Sequence, residues 1–129
     1  MARTLKLTTT YNLGAGDGVS AETQTASTTL TSGASATIAG SAPITTGVEY
    51  VVADFLGTGN KAKGLYIENR DADNALTVNL GTSTGGTEVG TFQIAVGGVM
   101  CLHDNNDAIT HIGLIGLVAP ADFVLCFCE

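Results

Sequence analysis

The sequence predicts an all-β protein, an antiparallel β-sandwich of jelly-roll type with an extended N-terminal arm. Three observations lead there. From residue 48 onward, apolar and polar residues alternate in short runs, the two-residue period of a half-buried strand. Glycine or Asp/Asn clusters separate the runs at short, regular intervals, as in sandwiches and jelly rolls. No segment carries apolar residues at helical spacing.

Taken in order, residues 8 to 47 are a Thr/Ala/Ser/Gly tract with isolated apolar residues: Leu13, Val19, Leu30, Ile38 and Ile44. Within it, "TTLTSGASATIAG" reads as a weak hairpin turning at Ser32-Gly33, with threonine supplying β-propensity. The alternative is an arm that orders only against a neighbour. Such a tract buries too little to offset a chain entropy of ~1–2 kcal/mol per residue. Residues 1–47 are therefore assigned to an arm belonging to the same unit as a sandwich core over 48–129.

In that core, "VEYVVADF" reads as one strand, with Glu49, Val51, Ala53 and Phe55 on one face and Tyr50 and Val52 on the other. "GLYIEN" brings Leu65 and Ile67 together, and "ALTVNL" does the same for Leu76, Val78 and Leu80. "TFQIAV" pairs Phe92 with Ile94, and "VMCLHD" pairs Met100 with Leu102. "AITHIGLIGL" and "DFVLCFC" complete the set.

Composition narrows the function. The chain has 129 residues, enough for one domain with a real core, and 44% of them are hydrophobic. Only 13% are charged, about half the usual share, which suits a surface partly hidden in an assembly. All five basic residues (Arg3, Lys6, Lys61, Lys63, Arg70) precede position 71, and the net charge is −7. Binding to a nucleic-acid backbone is electrostatically uphill for such a chain. "MARTLKL" has no secretory pattern, and "IGLIGLVAPA" is too short and too broken by glycine and proline to span a bilayer. The three cysteines (Cys101, Cys126, Cys128) are expected to be reduced thiols of a protein made in a cytoplasm.

Four stretches carry groups capable of chemistry. "NRDADN" (69–74) begins like a calcium loop, but positions six and twelve counted from Asp71 are Leu76 and Thr82 where Gly and Glu are required. It is read as a hairpin turn, for which Asp and Asn are suited. "HDNNDA" (103–108) sets His103 beside Asp104 and Asp107, yet no G-x-S-x-G nucleophile motif occurs in the chain, and it too reads as a turn. "GTGNKAKG" (57–64) lacks the Gly-Lys-Ser/Thr ending of a phosphate loop and leads into a strand, so it reads as a β-turn loop. The fourth is Cys101-x-His103 with Cys126-x-Cys128, a Cys₃His set if the two strands pair in register. Zinc ligands usually sit on tight knuckles, so the spacing favours small buried thiols. No enzyme, cofactor or metal is expected.

Burial of those thiols has a consequence. "VLCFC" is apolar on both faces, and a strand buried on both sides needs a cover for the second. Val99, Cys101, Val124, Cys126 and Cys128 are thus expected to form a homo-oligomer interface, unless the N-terminal arm covers them.

The pattern as a whole resembles small virion proteins of tailed bacteriophages. The residues that carry it are a strand ending in Asn (Leu65, Ile67, Asn69), a turn and a Val-bearing strand (Val78). An apolar segment leading to a glycine (Phe92, Ile94, Gly97) follows, then a closing strand that ends on an acid (Phe123, Leu125, Phe127, Glu129). The resemblance covers roughly residues 48–129. It implies a capsid decoration, or cement, protein, typically trimeric, located on the virion surface and bound to the major capsid protein. Arg3 and Lys6 are then expected shell contacts. The alternative is a tail- or fibre-associated sandwich binding a receptor or glycan, for which Tyr11, Tyr50 and Tyr66 are the available aromatic platforms.

Overall fold

The computed structural model describes residues 3–15, 22–32, 34–82, 88–102 and 109–129. Apart from one five-residue helix, the regular structure of the described residues is all strand. Two strands come first, β1 (Arg3–Leu13) and β2 (Glu22–Ser32), paired antiparallel from Arg3↔Ser32 to Leu13↔Glu22. Eight more build two four-stranded antiparallel sheets: β3 (Ser35–Ala42), β4 (Val48–Val51), β5 (Gly64–Asn69), β6 (Leu76–Gly81), β7 (Glu88–Ile94), β8 (Val99–Leu102), β9 (His111–Gly116) and β10 (Ala121–Cys128). The first sheet has the order β3-β10-β5-β8 and the second β4-β9-β6-β7.

Strict alternation explains why these segments pack as they do. In β6 and β9 alternate residues are buried, and the apolar members Leu76, Val78, Leu80, Ile112 and Leu114 meet Leu65, Ile67, Phe123, Leu125 and Phe127 of the first sheet in one core. At about 25 cal/mol per Å² of apolar area, each such side chain contributes roughly 1.5–3 kcal/mol.

A sandwich has two open sides, and the structure closes one of them. The expected strand over "VEYVVADF" stops at Val51, where a short helix, α1 (Val52–Leu56), begins. This corrects the expectation of no helix. Val52 and Leu56, four apart, both face the core, a spacing that a helix satisfies and a continuous strand also presents. α1 packs beside β3 and β4, where the Phe55 ring meets Tyr50 at 6.1 Å and Phe127 at 5.7 Å between centroids, both edge-on.

The N-terminal region differs from its expected form in two ways. Arg3–Leu13 and Glu22–Ser32 pair with each other as strands, and residues 35–42 are an edge strand of the first sheet, inside the sandwich. The hairpin expected around Ser32-Gly33 has no counterpart in the pairing, since β2 pairs with β1 and β3 with β10, and Gly33 itself lies outside the described residues. Small side chains explain the placement of β3, since Gly40 lies against the Phe123 ring, 3.3 Å from where a Cβ would stand.

Candidate functional site

The register gathers four connections at one end of the sandwich. Residues 43–47, 70–75, 95–98 and 117–120 each cross from one sheet to the other. "NRDADN" is one of them, so it is a turn between sheets and not the turn of a hairpin. Hydrogen bonds then tie the four together. Gly116 N–H donates to Pro43 O at 3.2 Å and Leu117 N–H to Ala75 O at 3.1 Å. Arg70 N–H donates to Asp122 O at 2.8 Å and Asn69 N–H to Gly98 O at 3.0 Å.

Two side chains complete this network. Asn69 is the one fully buried polar side chain among the described residues. Its Nδ2 donates to Asn74 O at 2.8 Å and to Ile94 O and Ala95 O at 3.1 Å, while Oδ1 accepts from Asp71 N–H at 3.0 Å. Asp71 Oδ1 accepts from Asp73 N–H at 2.9 Å, Asn74 N–H at 2.7 Å and Asn74 Nδ2 at 3.0 Å. Those backbone donors, Asp73 first and Asn74 next, hold the Asp71 carboxyl below its ordinary pKa. Both oxygens of this acid are engaged inside the turn, since Oδ2 also accepts from Asp122 N–H at 3.4 Å. Asp71 therefore acts as a turn former.

Backbone geometry at this end is equally constrained. A Cβ on Gly116 would stand 2.1 Å from Ala119 O, and one on Gly47 (φ +62) 2.5 Å from Ile115 Cγ1. Among the described residues Thr45 is the one non-glycine residue with positive φ, at 69°. On this fixed frame stand four exposed apolar side chains: Ile44 (42%), Val96 (46%), Leu117 (50%) and Val118 (76%). Sequence reasoning did not single them out as a surface. The signal was present in "IGLIGLVAPA", whose apolar run continues past Gly116, the last residue of β9, toward Pro120.

The opposite end holds α1 and the lysine loop. Asn60 Nδ2 donates to Leu56 O at 2.6 Å, closing the C-terminus of α1. A helix C-terminus presents carbonyls, so the lysine loop has no phosphate cradle of the helix N-terminal kind. Gly59, Asn60, Lys61, Lys63 and Glu129 line a polar hollow of about 430 Å³. Residues 103–108, including His103, Asp104 and Asp107, lie outside the described residues.

The cysteines meet a register that the zinc set does not fit. β8 and β10 are not neighbours, because β5 runs between them. Cys101 and Cys126 both stand opposite Tyr66, on its two sides. Two strand spacings, ~9.6 Å, separate them. Thiolates on one zinc ion, each bonded at ~2.3 Å, lie within about 4 Å of each other, so these two do not share an ion. Among the described residues no group of three or more His, Cys, Asp or Glu gathers at one point.

The same register does bring the expected interface residues onto one face. Val99 and Val124 flank Glu68, Cys101 and Cys126 flank Tyr66, and Cys128 stands opposite Gly64. Their exposure is uneven: Val99 is half-exposed, Cys101 and Cys126 are half-buried, and Val124 and Cys128 are buried within the single chain. Burial raises the Cys128 thiol above its ordinary pKa. Tyr66 donates to Glu68 Oε2 at 3.1 Å, and Arg70 pairs with the same oxygen at 3.3 Å. The Tyr66 phenol is raised, first by burial and then by that bond.

On the other sheet's outer face stand Thr77, Asn79, Thr91 and Gln93, with Thr91 Oγ1 donating to Asn79 Oδ1 at 3.0 Å. Tyr50 lies in the ring cluster beside α1, and the Tyr11 side chain is outside those described. Arg3 and Lys6 sit on β1 opposite Ser32 and Thr29. No helix among the described residues is long and apolar enough to cross a membrane. Compared with models of known families, with curated proteins and with solved structures, the chain matches none of them.

Proposed function

We propose that the protein is a non-enzymatic component of a tailed-bacteriophage particle, a capsid decoration or cement protein bound to the major capsid protein. The observation that carries this reading is the wiring of the sandwich. Eight strands form two four-stranded antiparallel sheets, β3-β10-β5-β8 and β4-β9-β6-β7, an order that supports the jelly-roll reading. Jelly rolls serve as viral capsid domains and as lectins, so the fold narrows the choice without making it. The resemblance of residues 48–129 to small phage virion proteins favours the capsid.

A cement protein works by binding energy alone. Contacts of ~800 Å² per partner, repeated over a symmetric shell, raise the barrier to its rupture. In this reading the chain is a trimer associating through the outer face of the first sheet, where Val99, Cys101 and Cys126 remain accessible. Arg3 and Lys6, at the base of the N-terminal hairpin, meet acidic shell groups, a contact that weakens with salt. The protein is made in the host cytoplasm and ends on the capsid surface, without nucleic acid, membrane or cofactor.

The test is cosedimentation of the purified protein with heads of the encoding phage that lack it. Binding at regular stoichiometry is expected; heads that stay bare would end the reading. Light scattering should give about three times the 13.0 kDa chain mass, and Val99→Asp should return it to the monomer. The second reading, a tail or fibre sandwich that binds a glycan or receptor, is favoured by the hydroxyl- and amide-bearing face of Thr77, Asn79, Thr91 and Gln93. Binding on a glycan array would select it.

A further inference from the structure

We infer that the four-loop end is the surface that docks on the shell, and that its partner presents an apolar hollow rimmed by lysine or arginine. The inference rests on the capsid reading above and moves the shell contact from Arg3 and Lys6 to the opposite end of the first sheet, since Arg3 pairs with Ser32, near the Ser35 end of β3, and the four loops lie at its Ala42 end. Ile44, Val96, Leu117 and Val118 are each more than 40% exposed. The loops that hold them are tied to one another through Gly116, Leu117, Asn69 and Asp71. Pre-ordered apolar side chains lose little entropy on binding, which is what anchors need.

Charge decides what covers them. Asp73 and Asp122 are exposed beside these residues. The cation of this end, Arg70, is already paired with Glu68. A second copy meeting the patch two-fold would set carboxylates against carboxylates, on chains that each carry −7. A basic rim satisfies them. Four strands ~4.8 Å apart span roughly 15 Å, and two sheets are ~10 Å apart, so the end is smaller than a standard interface. Single-site binding is therefore weak, and firm attachment depends on several copies engaging together.

The experiment measures binding of the full-length chain to heads lacking it, by cosedimentation at several salt concentrations. Val118→Asp and Leu117→Asp change exposed side chains, and circular dichroism checks that the fold is kept. Each is expected to weaken binding about tenfold or more, the range of an interface anchor. Asp73→Asn with Asp122→Asn should weaken it less and flatten its salt dependence, while Phe92→Ser, on the open side of the sandwich, should leave it unchanged. Wild-type binding that survives both aspartate substitutions overturns this inference and leaves the capsid reading standing. Bare heads with wild-type protein overturn both. Light scattering in which Val118→Asp dissociates the oligomer would make the patch a self-contact and also overturn it.

Discussion

The exposed threonine-rich face of the N-terminal hairpin and the interior of the sandwich are both built on antiparallel sheet, yet they stand on different physics. The sandwich closes two sheets over a shared core of Leu65, Ile67, Leu76, Leu80, Ile112, Leu114, Phe123, Leu125 and Phe127. On the exposed face of the hairpin, the cross-strand side-chain pairs are hydroxyl and amide contacts: Thr8 with Ser27 at 3.2 Å, Thr10 with Thr25 at 3.3 Å, and Thr23 to Asn12 at 2.9 Å. Those side chains are exposed, so each bond replaces one to water and contributes little. A lone two-stranded hairpin is marginal in water. β1 does approach β5, so the hairpin is not wholly separate from the sandwich. The comparison teaches that regular pairing gives a strand its shape, whereas burial gives it independence.

The largest effects should follow damage to the sandwich. Phe127→Ala, which empties a fully buried site in contact with the Phe55 ring, is expected to cost about 3–5 kcal/mol in chemical denaturation. Gly116→Ala forces a methyl against the Ala119 carbonyl and should cost about 3 kcal/mol, read the same way. Asn69→Ala deprives three carbonyls of their donor and should cost about 2 kcal/mol, with faster amide exchange at residues 70–75 and 95–98. At the other extreme, Thr10→Ala on the hairpin should change stability by less than about 0.5 kcal/mol. If that substitution matched Asn69→Ala, the contrast between the two regions would be broken.

Acid gives a finer test. The folded Asp71 carboxyl is held below its unfolded value, so its contribution is present above that unfolded value, near 3.9, and is lost as pH falls through the folded one. Amide exchange in residues 70–75 should therefore rise in that acid window before the core loosens. Asp71→Asn should abolish that pH dependence.

Much of this was legible in the sequence, for a stated reason. Alternation in "LYIEN" and "LTVNL" survives because each strand faces the core on one side only, and the structure keeps both. The helix over Val52–Leu56 was not legible, since its two buried residues also fit an alternating strand. β3 was read only as the second strand of a weak hairpin, and its place beside β10 was not legible because Ala36, Ile38, Gly40 and Ala42 make so faint an apolar face. The role of Asn69 was written in its position, a polar residue on the core-facing side of Leu65 and Ile67. Its partners came from Asn74 and from Ile94 and Ala95, the last two some twenty-five residues away, and local pattern does not reach that far.

The most direct test of the account is electron cryomicroscopy of mature heads of the encoding phage. The account expects sandwich-shaped density at symmetric sites on the outer shell, with residues 43–47, 70–75, 95–98 and 117–120 toward the capsid subunits. Density for this chain at the tail or fibre tip and none on the head would contradict it.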